Sequence, residues 1–188
     1  MRIISGRLGG RDLGTVPACV RPTSDRVRES LFSSLGSVEG LSVLDLFAGT
    51  GALGIEASSR GASRVVFVER SRKVARALRR RLAALDLARD ESISLIESDA
   101  IRALRRLSSE QGVEFDLVFL DPPYTAGDRE STLEALFASR ILGRGARVVV
   151  EGPKRHPVPP LPGMRVVDER RYGDTLLTWL EASAAVGE

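Results

Sequence analysis

The 188-residue chain contains 43% hydrophobic residues and has a net charge of +3, which is typical of one compact domain with room for only a small extension. It contains no run of about eighteen apolar residues and no charged-then-apolar leader, so we expect a cytoplasmic protein without a membrane span or secretory signal. Cys19 is the only cysteine and His156 the only histidine, which excludes an internal disulfide and predicts no metal site built from those ligands.

The positive charge is concentrated near the N-terminus. Residues 1–30 contain six arginines against three acidic residues, so the remainder of the chain is close to neutral. Because the whole chain has only two lysines, the choice of arginine over lysine in this segment says nothing about its function. The clustering of the positive charges does. A basic segment ahead of a balanced domain favours a polyanionic partner such as nucleic acid. The arginines are Arg2, Arg7, Arg11, Arg21, Arg26 and Arg28.

Helices and strands alternate along the chain at the spacing of repeated βα units. Residues 2–13 contain three glycines and predict a short hairpin or arm, and Thr23 or Ser24 can cap a helix that ends near Gly36. Beyond this helix, the apolar pattern predicts seven strands, at residues 42–47, 64–69, 93–97, 117–120, 147–151, 165–169 and 175–180. It predicts four further helices, at residues 52–59, 72–85, 100–109 and 129–139.

This order of elements predicts an α/β fold. The first five strands favour a mostly parallel sheet covered by helices on both faces, and the last two favour a C-terminal β-hairpin. We predict a basic arm or hairpin at residues 1–22 that extends nucleic-acid binding, a main domain at residues 23–182, and a tail at residues 183–188 with no assignable role.

The segment Asp121-Pro122-Pro123-Tyr124 follows a short apolar run that predicts a buried strand. Ligands of open α/β sheets bind beyond the carboxyl ends of the strands, so this segment is placed to face a substrate. An exocyclic amine on a flat ring is a poor nucleophile because its lone pair is delocalised. Asp121 and the Pro122 carbonyl can accept both amine hydrogens while Tyr124 stacks on the ring. The same residues also fit a plain turn with a half-buried aromatic.

A second motif, Asp45 to Gly54, predicts a strand end, a glycine turn and a helix start. Gly49, Gly51 and Gly54 match the G-x-G-x-x-G pattern of dinucleotide-binding folds, which would suit a nicotinamide-dependent oxidoreductase, but no catalytic histidine or tyrosine-lysine pair is evident. Asp45 places a negative charge near the turn, which disfavours a pyrophosphate and suits an ammonium and a sulfonium. S-adenosylmethionine carries both, and its carboxylate can lie against the amides of the turn.

Two further acids follow the next predicted strands. Glu69 ends the second strand, where an acid of a nucleoside-binding α/β fold accepts hydrogen bonds from ribose hydroxyls. Asp99 follows the third strand and is placed to receive the adenine amino group. The alternatives are a solvated acid for Glu69 and a helix N-cap for Asp99. Together with Asp45 and Asp121, these residues place four acids at the ends of four successive strands.

The chain resembles a known enzyme family. Its Asp-Pro-Pro-Tyr segment resembles the Asp/Asn-Pro-Pro-Tyr motif of amino-directed, S-adenosylmethionine-dependent methyltransferases. From Met1 to about Leu180, the chain is similar to the RsmD-type 16S ribosomal RNA guanine-N2 methyltransferases. The segments that carry the resemblance are Arg2 to Gly6, Gly10-Arg11, Arg21 to Thr23, Asp25 to Glu29, Leu44 to Gly54 and Phe115 to Tyr124.

The resemblance implies a Rossmann-like, S-adenosylmethionine-dependent methyltransferase that acts on N2 of one guanine in 16S rRNA, within the 30S subunit or its assembly intermediate, without a membrane partner or a metal. The catalytic residues are expected to be Asp121, Pro122 and Tyr124. The cofactor-binding residues are expected to be Asp45, Phe47, Ala48, Gly49, Thr50, Gly51, Gly54, Glu69, Asp99 and Ala100. The RNA-binding residues are expected to be Arg7, Arg11, Arg21, Thr23, Arg26 and Arg28.

Other functions stay open. A DNA adenine or cytosine amino-methyltransferase has the same tetrapeptide, although the chain leaves no room for a target-recognition domain. A non-catalytic RNA-binding assembly factor can retain a cofactor pocket, although the intact tetrapeptide argues against it. The basic run Arg76, Arg79, Arg80 and Arg81 lies on an amphipathic helical pattern and is interpreted as a solvated surface.

Overall fold

The structure, a computed structural model, describes residues 1–14, 24–122 and 128–182. The predictions for Arg21, Thr23, Pro123, Tyr124 and the tail at residues 183–188 lie outside these described residues. The chain divides into two compact units, one within Met1–Asp99 and one within Ala100–Glu188. The predicted boundaries of arm, main domain and tail stay predictions. No helix in the described part of the chain has the length and apolar character needed to cross a bilayer.

Helices and strands alternate as the sequence predicts. The helices are α1 (Asp25–Leu35), α2 (Ala52–Ser59), α3 (Arg72–Ala84), α4 (Ala100–Ser109) and α5 (Asp128–Ala138). The strands are β1 (Ser42–Leu46), β2 (Arg64–Val68), β3 (Ile93–Ile96), β4 (Phe115–Leu120), β5 (Leu142–Pro153), β6 (Met164–Tyr172) and β7 (Thr175–Ala182). They form a seven-stranded sheet in the order β3-β2-β1-β4-β5-β7-β6. The predicted mostly parallel α/β sheet is confirmed.

The first unit is built around three parallel strands. β1 pairs with β2 so that Leu44 lies opposite Val66, and β2 pairs with β3 so that Val66 lies opposite Ser94. Four of the five residues in each of β1 and β2 are buried, as expected for strands that are covered on both faces. Every residue of α2 is also buried. The glycine turn between β1 and α2 is therefore held at the centre of this unit.

Residues 1–14 form a small hairpin-like arm that packs onto the first unit. Arg2 and Asp12 form an antiparallel bridge, and the side chains of Ile3, Leu8 and Leu13 are buried. This apolar anchoring explains why a glycine-rich, basic segment is ordered in the structure. The predicted hairpin is confirmed over these residues.

All four strands of the second unit are longer than predicted, most clearly β5 and β6. β4 and β5 are parallel, whereas β7 pairs antiparallel with both β5 and β6, so the predicted C-terminal hairpin is confirmed. β5 begins at Leu142 and β6 continues to Tyr172, which leaves only Gly173 and Asp174 in the turn. The apolar pattern misses the extension of β6 because backbone pairing with β7 extends that strand through charged, exposed residues.

A buried ion-pair cluster fastens the arm to α2. Glu56 is fully buried and accepts hydrogen bonds from the backbone N–H groups of Ile4 (2.8 Å) and Ser5 (3.0 Å). It also pairs with Arg60 at 2.7 Å and with Arg28 at 3.6 Å. Buried charges are stable only when they are paired and hydrogen-bonded in this way. The cluster therefore fixes where the chain enters the unit.

The prediction that Arg28 binds RNA is wrong. Its side chain is fully buried, pairs with Asp25 and Glu56, and donates a hydrogen bond to the Arg2 carbonyl. A guanidinium in this position has no surface on which to meet a phosphate. Residue type predicted an exposed arginine. In the structure, Arg28 lies on the buried helix face that Val27 and Leu31 mark, where its charge partners also lie.

Glu56→Gln tests the cluster because it removes the charge facing Arg28 and Arg60 while keeping the side-chain volume. We expect the free energy of unfolding to fall by about 3 kcal/mol, since Arg28 and Arg60 both lose a charged partner that is itself fully buried. Urea unfolding followed by circular dichroism measures this loss. The matched control is Glu110→Gln at the exposed pair with Arg106, which should lose less than about 0.5 kcal/mol. Equal losses in both variants would contradict the account.

Candidate functional site

The glycine turn after β1 is held in a conformation that few residues adopt. Phe47, Gly49 and Gly51 have φ angles of 63°, 54° and 75°, in the left-handed region. Phe47 is not a glycine, and a non-glycine residue in this region costs roughly 1–2 kcal/mol. Such strain clusters at functional sites, and Phe47 is half-buried beside the turn. No pattern in the sequence indicates this strain.

Gly51 and Gly54 are required by close packing. A Cβ atom on Gly51 would lie 2.4 Å from Leu78 Cδ1, and one on Gly54 would lie 2.3 Å from Phe67 Cε1. These contacts bring the start of α2 against β2 and α3. Gly51 supplies no side-chain cap, so the amide groups of the first turn of α2 have no acceptor from that residue. A helix N-terminus of this kind favours a bound carboxylate or phosphate.

Asp45 lies at the base of the turn and is almost completely buried. Its Oδ2 accepts a hydrogen bond from the Gly54 N–H at 3.0 Å. Burial raises the pKa of Asp45 to about 8; the Gly54 hydrogen bond lowers it, and the charge of Glu69 raises it further. No arginine or lysine in the described residues forms an ion pair with Asp45. The site therefore contains a carboxyl group whose charged form lacks a cation.

Glu69 follows β2 and ties the turn to the next segment. Its Oε2 accepts a hydrogen bond from the Gly49 N–H at 3.0 Å, and its Oε1 accepts one from the Ser71 N–H at 2.7 Å. Its backbone carbonyl accepts a hydrogen bond from the Ser98 N–H at 3.2 Å. A carboxylate has about four acceptor positions, so Glu69 can accept two more hydrogen bonds, as ribose hydroxyls would require.

The remaining predicted residues are described within their own units. Asp99 is exposed at the end of the first unit, and Ala100 is the buried first residue of α4. Asp121 directly follows β4 and is half-buried, and Pro122 is buried. The structure thus places Asp121 at the carboxyl end of a parallel strand, as the sequence predicts.

Arg81 links the arm to the glycine turn, a role that its sequence pattern did not predict. The side chain is buried, and its guanidinium donates one hydrogen bond to the Leu13 carbonyl and another to the Thr50 carbonyl at 2.7 Å. Burial lowers the pKa of Arg81, and the charge of Asp12 raises it. The interpretation of Arg81 as a solvated residue is wrong. The sequence did contain a signal for burial of Arg81. It lies seven residues after the apolar Val74, and this spacing places both residues on one helix face.

The predicted RNA-binding residues differ in accessibility. Arg7 is half-exposed and contacts Ser58 and Asp90. Arg11 is also half-exposed and donates hydrogen bonds to the Ala84 and Leu85 carbonyls at the end of α3. Arg26 is exposed on α1. Three of the four described arginines therefore remain accessible to a ligand, and Arg28 does not.

Comparison with known proteins defines the family. The family model described as "Conserved hypothetical protein 95" matches residues 1–181. The ribosomal RNA small subunit methyltransferase D of Escherichia coli strain K12 is 37% identical over 86% of this chain and 79% of its own length. The chain belongs to the RsmD family. The enzyme of the same name from Haemophilus influenzae is 36% identical over 84% of this chain and 81% of its own length.

Solved structures agree with membership of the RsmD family. A hypothetical protein of Thermus thermophilus superposes with a TM-score of 0.82 at 31% identity, covering 97% of this chain and 99% of that chain. The fold is the Rossmann-like fold of S-adenosylmethionine-dependent methyltransferases. No group of three or more histidine, cysteine or acidic side chains that could hold a metal ion occurs within residues 1–14, 24–122 and 128–182.

The raised pKa of Asp45 predicts a pH-dependent stability. Because the folded-state pKa of about 8 exceeds the ordinary value of 3.8, stability is lost as the pH rises from the lower value to the higher. Asp45→Asn cannot ionise and escapes this loss. Without ligand, we expect its melting temperature relative to the parent chain to rise steadily from about pH 4 to about pH 8.

Differential scanning fluorimetry across this pH range measures the effect. Glu39→Gln, at an exposed acid of the same unit, is the matched control and should show a difference from the parent chain that does not change with pH. A constant difference for Asp45→Asn as well would show that Asp45 ionises in the folded protein as readily as in the unfolded chain.

Proposed function

We propose that this protein transfers a methyl group from S-adenosylmethionine to the exocyclic N2 amine of a guanine in 16S rRNA, within the 30S subunit or its assembly intermediate. The observation that carries the proposal is Asp121-Pro122 at the carboxyl end of β4 in a chain of the RsmD family. Relatives named as small-subunit ribosomal RNA methyltransferases support the RNA substrate. Such a reaction takes place on ribosomes, in the cytoplasm.

The residues of the first unit fit S-adenosylmethionine. Asp45 is a buried carboxyl with no cationic partner among the described residues, which suits the cofactor ammonium. The amides of Gly49 to Gly51 and the start of α2 suit its carboxylate, with Phe47, Ala48, Thr50 and Gly54 shaping the turn. Glu69 has acceptor positions left for the ribose hydroxyls, and we assign Asp99 and Ala100 to the adenine. When bound, S-adenosylmethionine supplies an electrophilic methyl carbon on its sulfonium.

The residues of the second unit would recognise the amine. The Asp121 carboxylate and the Pro122 carbonyl accept its two hydrogens, which favours a pyramidal nitrogen with a free lone pair. No strong base is needed, because the nitrogen becomes acidic once it is methylated and a carboxylate or water then takes its proton. Tyr124, which lies outside the described residues, would stack on the guanine after the base leaves its RNA stack. Positioning supplies most of the rate.

The accessible arginines would hold the RNA backbone. Arg7, Arg11 and Arg26 are the described members of this group, and Arg21 and Thr23 lie outside the described residues. Phosphate contacts of this kind make binding weaken steeply as salt rises. Arg28 is removed from the group because it is buried.

The proposal is tested by transfer of tritiated methyl groups from S-adenosylmethionine to 30S particles, naked 16S rRNA and duplex DNA, with nucleoside analysis of each product. We expect label in N2-methylguanosine from a ribosomal substrate. Label in a DNA base would replace the proposed substrate with a DNA amine. Cofactor binding without any label would instead favour an RNA-binding assembly factor.

The same assay with Asp121→Ala tests the catalytic assignment. We expect methyl transfer to fall by at least about 100-fold, because removing one positioning or proton-accepting group typically costs this much. Calorimetric titration should show S-adenosylmethionine affinity within about threefold of the parent chain, since Asp121 is assigned to the amine and the cofactor contacts are assigned to other residues. Near-normal turnover would exclude the proposed role of Asp121.

A further inference from the structure

Helix α3 carries an unusual concentration of positive charge. Six of its thirteen residues are basic and none is acidic, and its first turn contains no acid to complement the helix dipole. Like charges spaced three or four residues apart destabilise a helix by about 0.2–0.5 kcal/mol per pair. A helix that carries such repulsive charges without a stabilising contact to compensate them is expected at a functional surface. The basic residues are Arg72, Lys73, Arg76, Arg79, Arg80 and Arg81.

Three of these residues have structural partners. Arg81 is buried under the arm and the glycine turn. Arg72 and Arg79 lie on one flank of the helix and both pair with Glu97, at 3.4 Å and 2.8 Å. These contacts explain half of the positive charge. They leave Lys73, Arg76 and Arg80, which we call the α3 strip.

The α3 strip forms one exposed face. Its residues are spaced by three and four positions, so they project from the same side of the helix over about 10 Å. All three are exposed, and none forms a hydrogen bond or ion pair with any residue in the described ranges. The buried residues Val74 and Leu78 lie on the opposite side. The strip is therefore a solvated cationic ridge on an ordered helix.

The strip is continuous with the arm. Arg11 donates a hydrogen bond to the Ala84 carbonyl at 2.9 Å, and Ala84 lies one turn beyond Arg80 on the same face of α3. Arg11 itself remains half-exposed. Positive charge thus extends from the helix onto the arm within the first unit, where the exposed Asp86 partly neutralises it by pairing with Arg11 at 3.3 Å. A membrane surface is a poor match, because the apolar face of α3 is buried in the core and cannot enter a bilayer.

We propose that the α3 strip binds the phosphate backbone of the RNA substrate and extends the RNA-binding surface beyond the arm. The proposal rests on the proposed function for the identity of the nucleic acid. Lys73, Arg76 and Arg80 each contact backbone phosphate, so they contribute affinity without reading sequence. The surface positions the RNA and takes no part in the chemistry.

The test variant is the triple substitution Lys73→Gln, Arg76→Gln and Arg80→Gln. Its matched control, Arg105→Gln, Arg144→Gln and Arg171→Gln, removes the same charge from three exposed arginines of the second unit. Filter binding to 30S particles and to naked 16S rRNA is measured between about 0.05 and 0.3 M salt. Calorimetry with S-adenosylmethionine and thermal unfolding check that each variant is folded.

We expect the α3 variant to lose about tenfold or more in RNA affinity at about 0.1 M salt and to reduce the slope of log affinity against log salt by about two. Its cofactor affinity should not change, and its melting temperature should stay equal or rise because like-charge repulsion is relieved. The control should keep the parent salt slope. An unchanged slope in the α3 variant, or an equal change in both variants, would overturn the proposal.

Failure of the surface and failure of the proposed function give different results. If the parent chain produces N2-methylguanosine but the α3 variant binds RNA normally, only the α3 surface is excluded. If the parent chain produces no methylated ribosomal nucleoside but the α3 variant alone loses RNA affinity, the surface stands and the proposed reaction fails.

Discussion

The hydrogen bond between the buried Asp45 carboxyl and the Gly54 N–H fixes the geometry on which the site depends. It joins the end of β1 to the first turn of α2, and Gly54 in turn packs directly on the Phe67 ring. The turn between them then has little freedom, and strained Phe47 is held in place. The same burial makes the charged form of Asp45 unfavourable in the free protein. A bound cation at this position would stabilise the charged form of Asp45, and this stabilisation would add to the affinity for the cation.

Buried ionic contacts connect this turn to the N-terminal arm. Arg81 donates hydrogen bonds to Leu13 in the arm and to Thr50 in the turn, so the two segments share one guanidinium. Glu56 fastens the start of the arm to α2 through the Ile4 and Ser5 amides. The segment that we assign to RNA and the turn that we assign to the cofactor are therefore parts of one packed unit. A displacement of the arm would therefore also displace the turn through these contacts.

Much of the fold could be predicted because local signals and burial agree. Ser24 caps α1 by accepting the Val27 N–H at 3.3 Å, and Gly36 ends the helix with a φ of 72°. The helix predicted at residues 100–109 is observed as Ala100–Ser109. The positions of Glu69 and Asp121 directly after strands could be predicted because the apolar runs before them are observed as β2 and β4.

The remaining features depend on tertiary contacts that a linear pattern does not contain. Arg28 is buried beside Asp25 and the distant Glu56, and Arg81 is buried with its guanidinium bonded to backbone carbonyls, whereas residue type alone predicts exposure. The left-handed Phe47 has no sequence signature, since the packing around the turn imposes it. β6 is longer than its apolar pattern because pairing with β7 extends it.

The most direct test is a pH titration of Asp45 with and without S-adenosylmethionine. The NMR chemical shift of its side-chain carboxyl carbon, in uniformly ¹³C-labelled protein, reports the ionisation. The carboxyl signal that is lost in the Asp45→Asn variant is the signal of Asp45. We expect Asp45 to titrate near pH 8 in the free protein and to stay ionised well below that pH when the cofactor is bound. Titration near the ordinary value of 3.8 in the free protein, or a midpoint that does not move with cofactor, would contradict the account.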